Sequence, residues 1–186
     1  MQTRRKMHTA AASRLCPRAD GSWRYTRTAM AGRKEAVDRR PAVLFLCRHN
    51  AVRSQLAEAL LRARFPDRYD AASAGICPAG VHPLVLRVLE EAGVSSEGLR
   101  SKHVGELSGR SFEIVATVCG QDEPTCPFFP GGRQIHHPFA DPSVGVRTEE
   151  DRLAAFRSVR DEIDAWLVGT FGAPVGEGPG PEPRLG

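Results

Sequence analysis

Residues 42–54, AVLFLCRHNAVRS, decide the fold. The first five, 42–46, form a continuous apolar run, which predicts a strand buried on both faces of a parallel sheet. Polar residues follow and predict a tight loop, and from 53 to 64 apolar side chains recur at helical spacing. The stretch therefore predicts a strand, a loop and a helix in direct succession.

The alternation of strand and helix patterns continues along the chain. Strands are predicted at 69–74, 112–118 and 134–137, and helices at 83–92 and 149–171. This alternation favours an α/β fold, with a parallel sheet and helices on both of its faces. Active sites in such folds lie beyond the carboxyl ends of the strands, which is where the loop after residue 46 is expected.

The loop at 47–53 combines the features of an anion site. Backbone N–H groups in a tight turn form a concave anion site, and the following helix adds unpaired donors and a favourable dipole. The same field would stabilise a thiolate at Cys47 and make it a nucleophile. Arg53 supplies a planar fork that fits a tetrahedral oxyanion. Asn50 suits a left-handed backbone position, and the Ser54 hydroxyl is placed to donate to the thiolate.

A bound oxyanion is thus predicted to contact the loop and the first turn of the helix. The predicted substrate-binding residues are Arg48, His49, Asn50, Ala51, Val52, Arg53 and Ser54. A Cys and an Arg separated by five residues are also a common coincidence, and Cys47 has the alternative interpretation of a small buried hydrophobic side chain. Its position at a strand–loop–helix junction favours the catalytic interpretation.

Two further cysteines follow a later predicted strand. Cys119 lies at the carboxyl end of the strand at 112–118, on the same edge as Cys47, and Cys126 is seven residues further on. The segment between them contains Gly and Pro and could rearrange to join their thiols, as thiol–disulfide exchange requires. The alternatives are a structural zinc site, which the C-x6-C spacing fits poorly, and two unrelated core thiols. No metal is expected.

These motifs resemble those of a known family. CRHNAVRS at 47–54 is similar to the loop C-x-x-N-x-x-R-S of low-molecular-weight protein tyrosine phosphatases and thioredoxin-coupled arsenate reductases. Gln55, the Ala57-Glu58 pair and the C-x6-C spacing followed by Pro127 resemble the reductase branch. The resemblance covers about residues 42–170. It implies a three-layer α/β/α domain with a four-stranded parallel sheet, as in low-molecular-weight phosphatases.

The resemblance also implies roles for single residues. Asp141-Pro142 alone indicates only a turn, but both related families place their general acid in such a dipeptide, which implies that Asp141 protonates the leaving oxygen. The implied function is arsenate reduction. Cys47 attacks arsenate, Cys119 then forms a disulfide with Cys47, and Cys126 displaces Cys47 before thioredoxin reduces the last disulfide. No bound cofactor is implied.

Two other functions stay open at this point. The first is a phosphatase that hydrolyses phosphoesters with Cys47, Arg53 and Asp141 alone. The second is a non-catalytic thiol redox sensor or arsenic-binding protein. Glutaredoxin-type and mycothiol-type reductants are alternatives to thioredoxin.

A cation site is also suggested by the resemblance. Some relatives bind a potassium ion near the loop through positions that match Asn50, Glu58 and Ser73. A further ligand, usually acidic, is matched here by Lys102. We hypothesise that the Lys102 ammonium replaces the ion.

Basic charge is concentrated in residues 1–40, which hold eleven Lys and Arg and carry a net charge of +8, whereas 41–186 carries −4. We predict a disordered extension at 1–40, the reductase or phosphatase-like domain at 41–172, and a flexible Pro- and Gly-rich tail at 173–186. A targeting peptide, or translation that starts at Met30, is the alternative for the extension. The domain itself is not expected to bind nucleic acid.

The five cysteines occur in a chain with no export signal and no apolar run of about 20 residues. We therefore expect a cytoplasmic protein that does not contact a membrane, because reactive thiols persist in a reducing compartment. Cys16 and Cys77 are given no role, and a monomer is expected.

Overall fold

The computed structural model of the protein describes residues 39–120, 127–145 and 148–173. Its strands are β1 (Ala42–Leu46), β2 (Asp70–Ala74), β3 (Ile114–Thr117) and β4 (Arg133–His136). Its helices are α1 (Arg53–Arg64), α2 (Pro83–Glu91) and α3 (Glu149–Phe171), with a short 3-10 helix at Val104–Leu107. The extension and the tail predicted from the sequence lie, apart from residues 39, 40 and 173, outside the described residues.

The sheet is parallel throughout and has the strand order β2-β1-β3-β4. Strand β1 is central and is paired on both sides, with Leu46 opposite Ala74 of β2 and Thr117 of β3. The carboxyl ends of these three strands therefore coincide, and the segments that follow them meet at one edge. The four-stranded parallel sheet expected from the sequence is confirmed.

Both faces of β1 are buried, as its apolar run predicts. Val43 and Phe45 belong to a core that includes side chains of all three helices. Leu44 and Leu46 face the other way and pack in a second cluster with Leu107 of the 3-10 helix and with two loop aromatic residues, Phe112 and Phe129. Among the described residues, the layer that covers this second face of the sheet is thinner than the layer on the first face. It consists of a single helical turn and loops, whereas the first face is covered by the three helices.

Local sequence signals explain where α2 and α3 begin. Helix α2 starts at Pro83, whose ring suits the first helical position, and the His82 ring accepts a hydrogen bond from the N–H of Leu84. The Thr148 hydroxyl accepts from the N–H of Asp151 and caps α3. No helix in the described part of the chain is long and apolar enough to cross a membrane.

The packing of the three helices predicts which side chains contribute most to the free energy of unfolding. Phe156 of α3 is fully buried, and its ring lies 4.7 Å from that of His82. We expect Phe156→Ala to lower the free energy of unfolding by about 3–5 kcal/mol, because the truncation leaves a cavity. Urea denaturation measures the loss. Leu86→Ala is the matched control, since Leu86 of α2 is 42% exposed; an equal loss in both variants would contradict this packing.

Candidate active site

The loop between β1 and α1 is held by the end of β2. Cys47 follows β1 directly, is 2% exposed, and donates its N–H to the Ala74 carbonyl at 3.3 Å. The Arg48 carbonyl accepts the N–H groups of Ile76 at 3.0 Å and Cys77 at 2.9 Å. These long-range hydrogen bonds fix the loop backbone from the side of the neighbouring strand.

Gly75 permits this close approach of backbones. A Cβ atom at Gly75 would lie 2.7 Å from the carbonyl oxygens of Cys47 and Arg48 and 2.9 Å from the N atom of Asn50. Such distances are too short for any side chain. The sequence analysis did not identify Gly75, although a glycine directly after the predicted strand 69–74 was an available signal.

Asn50 forms the turn of the loop and has a positive φ of 45°. The left-handed position expected for this residue is confirmed. Its side chain is buried, accepts the backbone N–H of Lys102 at 2.8 Å, and donates to the hydroxyls of Ser54 at 2.9 Å and Ser73 at 2.8 Å. A backbone N–H can only donate, so the acceptor must be the amide oxygen and the orientation of the amide is fixed.

The Ser54 hydroxyl lies 2.9 Å from the Cys47 sulfur. Ser54 accepts a hydrogen bond from Asn50, which leaves its own proton available for the sulfur. A hydrogen bond donated to sulfur favours the thiolate over the thiol. The N-cap of α1 is Val52, whose side chain cannot accept a hydrogen bond, and the first turn carries no acidic residue. The positive end of the helix dipole therefore faces the loop.

Arg53 is buried and reaches Asp141. Its Nη2 lies 3.0 Å from Asp141 Oδ2, and its Nη1 donates to the Phe139 carbonyl at 3.3 Å. Burial is the largest influence on the pKa of Asp141 and raises it, but hydrogen bonds from Ser143 and the positive charges of Arg53 and His49 outweigh it and lower the pKa. The resting carboxyl group is thus an ionised partner of Arg53.

Ser143 was not identified from the sequence. Its N–H donates to Asp141 Oδ1 at 2.9 Å, and its hydroxyl donates to the same oxygen at 2.5 Å. An Asp followed two residues later by Ser is typical of a turn closed by the carboxylate, and this was the signal available.

The remaining loop residues differ in exposure. Val52 is buried, Arg48 and Ala51 are half-buried, and His49 is exposed. The buried Nε of Arg48 has no hydrogen-bond partner among the described residues. The loop thus presents a mixed polar and apolar surface around the thiol.

Cys119 lies close beyond β3, on the same edge of the sheet as Cys47. It is 1% exposed and belongs to the same hydrophobic cluster as Cys47, and the preceding Val118 donates its N–H to the Leu46 carbonyl at 2.8 Å. A Cβ at the next residue, Gly120, would lie 3.6 Å from Arg53 Nη1. Gly120, the residue after Cys119, therefore lies beside the guanidinium.

Cys126 lies outside the described residues, and Cys77 is exposed. Within 39–120, 127–145 and 148–173, no three His, Cys, Asp or Glu side chains are grouped so that they could hold a metal ion. The absence of a metal stays a prediction.

A comparison with family models matches residues 42–171 to the low molecular weight phosphotyrosine protein phosphatases. The chain belongs to this family. The match covers every described strand and helix, including the loop at Cys47 and the segment at Cys119.

Curated relatives in this family are named arsenate reductases. The one from Halalkalibacterium halodurans is 34% identical over 122 residues, which are 65% of this chain and 88% of the relative. The one from Bacillus subtilis is 33% identical over 122 residues, with the same coverage. Among solved structures, the thioredoxin-dependent arsenate reductase of Corynebacterium glutamicum is 30% identical, with a TM-score of 0.57 over 75% of this chain and 64% of that one.

The close contact at Gly75 predicts that a side chain at this position would lower the reactivity of Cys47. Gly75→Ala should displace the backbone at Cys47 and lower the rate of Cys47 alkylation by iodoacetamide at least about tenfold, because the thiolate loses its donors. Mass spectrometry of the peptide that contains Cys47 measures the rate. Gly169→Ala in α3 is the control, since a Cβ there meets no atom within 4 Å. A normal rate in Gly75→Ala would show that the loop does not depend on this contact.

The ion pair between Arg53 and Asp141 predicts how the stability of the protein depends on pH. The fold lowers the pKa of Asp141, so its carboxylate stabilises the protein at pH values above the ordinary Asp pKa, near 4. This contribution is lost as the pH falls through the lower pKa of Asp141 in the folded protein. Asp141→Asn should therefore be less stable than wild type at pH 7, and the difference should shrink below about pH 4. Urea denaturation over this range measures it, with the exposed Asp67→Asn as control. A difference that is constant with pH would count against an ionised pair.

Proposed function

We propose that the protein is an arsenate reductase in which Cys47 is the nucleophile and Cys119 the second thiol. The observation that carries this proposal is the placement of two buried thiols just beyond the ends of neighbouring strands, with Gly120, the residue after Cys119, beside the Arg53 guanidinium. The names of the curated relatives support it.

Substrate binding changes the partner of Arg53. An arsenate dianion held by the loop N–H groups and the end of α1 competes with Asp141 for the guanidinium. Once Arg53 turns to the oxyanion, Asp141 loses the charge that helps to hold its pKa down, and it faces a substrate of like charge. Both changes raise its pKa, so the group becomes a better acid at the moment when the leaving oxygen needs a proton.

The first step joins sulfur to arsenic. The Cys47 thiolate attacks arsenic, the bond to one arsenate oxygen breaks, and Asp141 protonates the departing oxygen. The Cys119 thiolate then attacks the Cys47 sulfur. The sulfur–arsenic bond breaks, its electron pair stays on arsenic, and arsenite leaves as the Cys47–Cys119 disulfide forms.

The remaining steps return the enzyme to its reduced form. The Cys126 thiolate attacks Cys119, Cys47 leaves as a thiolate, and a Cys119–Cys126 disulfide is formed. A thioredoxin-type dithiol supplies the two electrons that reduce this disulfide. A reducing cytoplasmic compartment suits this chemistry, and we propose that the enzyme acts there as a monomer without a bound cofactor.

A phosphatase is the second candidate function. Cys47, Arg53 and Asp141 form a complete site for phosphoester hydrolysis, because phosphate and arsenate share charge and shape. The loop alone does not separate the two reactions. The difference lies in whether Cys119 and Cys126 are needed.

The proposal predicts that arsenate turnover requires three thiols. With thioredoxin, thioredoxin reductase and NADPH, arsenate-dependent NADPH oxidation should fall at least about 100-fold in Cys47→Ser, Cys119→Ser and Cys126→Ser. Cys77→Ser is the matched control and should retain the wild-type rate, because Cys77 is exposed and has no part in the relay.

The same variants separate the alternatives. Hydrolysis of p-nitrophenyl phosphate that survives Cys119→Ser and Cys126→Ser, without any arsenate turnover by wild type, would identify a phosphatase. A wild-type protein with neither activity would identify a thiol sensor or an arsenic-binding protein.

A further inference from the structure

Gln55 is a fully buried polar side chain in the first turn of α1, and the proposed mechanism gives it no part. Its Nε2 donates to the carbonyl of Asn50, at the turn of the loop, at 3.0 Å and to the Arg100 carbonyl at 3.1 Å. Carbonyl oxygens only accept, so the orientation of this amide is fixed. The buried Oε1 has no partner among the described residues, which is costly. The side chain is therefore placed by what its nitrogen holds.

The carbonyl groups of residues 48–51 all accept hydrogen bonds from residues outside the loop. In the described part of the chain, three of these four accept at least one backbone N–H, a donor that does not depend on the identity of a side chain. The carbonyl of Asn50 is the exception, because it is held by the Gln55 side chain alone. The backbone donors are Ile76 and Cys77 to Arg48, Ala79 to His49 and His82 to Ala51.

The direction of each carbonyl decides where the next N–H group points. In a planar trans peptide the C=O and N–H bonds point in opposite directions, and none of the described peptide bonds is cis. The Asn50 carbonyl points to the amide that also binds Arg100, so the N–H of Ala51 points to the opposite side. Arg100 borders a cleft whose lining includes neither Cys47 nor Arg53. The N–H of Ala51 is thus directed away from this cleft and into the anion site.

The peptide between Asn50 and Ala51 is the place where the loop can most easily lose this arrangement. Asn50 has a φ of 45°, in the left-handed region that is unfavourable for residues with a side chain. A rotation of this one peptide plane would turn the Asn50 carbonyl into the anion site and withdraw the N–H of Ala51. Backbone donors prevent such a rotation at the neighbouring peptides, whereas here the Gln55 side chain prevents it.

We infer that Gln55 is a positioning residue that keeps the Ala51 N–H directed at the bound oxyanion. It does not touch the substrate and acts through the peptide that follows Asn50. Without its donor, a carbonyl oxygen can take the place of an N–H beside the oxyanion, which replaces an attractive contact by a repulsive one. The inference rests on the proposed function only in placing an oxyanion in the loop, and it holds for arsenate and phosphate alike.

The experiment measures how inorganic phosphate protects Cys47 from iodoacetamide in the full chain at constant ionic strength, followed by peptide mass spectrometry. The phosphate concentration that halves the alkylation rate reports the affinity of the loop for an oxyanion and requires no turnover. Gln55→Met keeps the length of the side chain but cannot donate. We expect the half-protecting concentration to rise about tenfold in this variant, because a hydrogen bond to a charged group is lost.

Two control variants test whether the effect belongs to this one carbonyl. Gln134 also donates from Nε2 to two carbonyls, those of Phe129 at 3.2 Å and Gly131 at 2.7 Å, so Gln134→Met is the matched substitution outside the loop. Ser101→Ala removes a side-chain donor from the His49 carbonyl, which keeps its backbone donor. Both should retain the wild-type value. A rise in either one equal to that in Gln55→Met would contradict the special position of Gln55.

Arsenate turnover gives a second readout of the same role. The Ala51 N–H contacts the oxyanion before and during the reaction, so its loss should raise the KM of Gln55→Met for arsenate about tenfold and change kcat much less. A lower kcat with an unchanged KM would overturn the inference.

The remaining outcomes separate this inference from the proposed function. A folded Gln55→Met protein that phosphate protects as well as the wild type refutes the role of Gln55 alone. If this variant does not fold, Gln55→Ala takes its place, because alanine favours a helix and needs no additional space. The same rise is expected, and a wild-type value refutes the inference again. A wild-type Cys47 that phosphate does not protect overturns both proposals, whereas normal protection without arsenate turnover overturns only the proposed reductase.

Discussion

The proposed site depends on holding the Cys47 sulfur among buried polar groups, in a place that solvent hardly reaches. Cys47 is almost fully buried, as are Asn50, Arg53 and Ser54 around it. Polar groups in such surroundings are costly unless each has a partner. The hydroxyl of Ser54, the fixed amide of Asn50 and the end of α1 meet this need at Cys47. The interactions that stabilise the loop are therefore the same ones that, in the proposed mechanism, assist the Cys47 thiol.

In the proposed mechanism, the guanidinium of Arg53 links substrate binding to acid catalysis because it serves two anions in turn. In the resting protein it pairs with Asp141, which keeps the acid ionised and also satisfies a buried cation. In that mechanism an oxyanion in the loop takes over the guanidinium and changes the environment of Asp141 at the same time, so that the substrate itself raises the pKa of the acid. The hydrogen bonds from Ser143 to Asp141 do not involve Arg53, so this exchange leaves them available to position the carboxyl group.

The sequence allowed the strand, loop and helix at 42–64 to be predicted because their signals are local. The apolar run, the helical spacing and the left-handed Asn50 need no knowledge of distant residues. The backbone contacts at Gly75 and the two carbonyl acceptors, of Arg48 and Phe139, could not be predicted, because they depend on how β1 lies against its neighbours. The thin cover on the second face was also missed, since loop aromatic residues such as Phe129 carry no periodic pattern. The role of Cys126 stays a prediction, because this residue lies outside the described part of the chain.

The feature that would separate arsenate reduction from phosphoester hydrolysis lies outside the loop. It is the second thiol, Cys119, just beyond the end of the neighbouring strand β3. Phosphate and arsenate make the same demands on N–H donors and on a guanidinium, so a loop of this kind binds both. Reduction needs a second sulfur in line with the bond that is to break, and the carboxyl end of β3 is a suitable source because β3 is paired directly with β1. The Val118 N–H donates a hydrogen bond to the Leu46 carbonyl, so Cys119 and Cys47 each directly follow one of two hydrogen-bonded residues. One cysteine at the end of β3 is therefore enough to offer a phosphatase-like loop a redox partner without altering the loop itself.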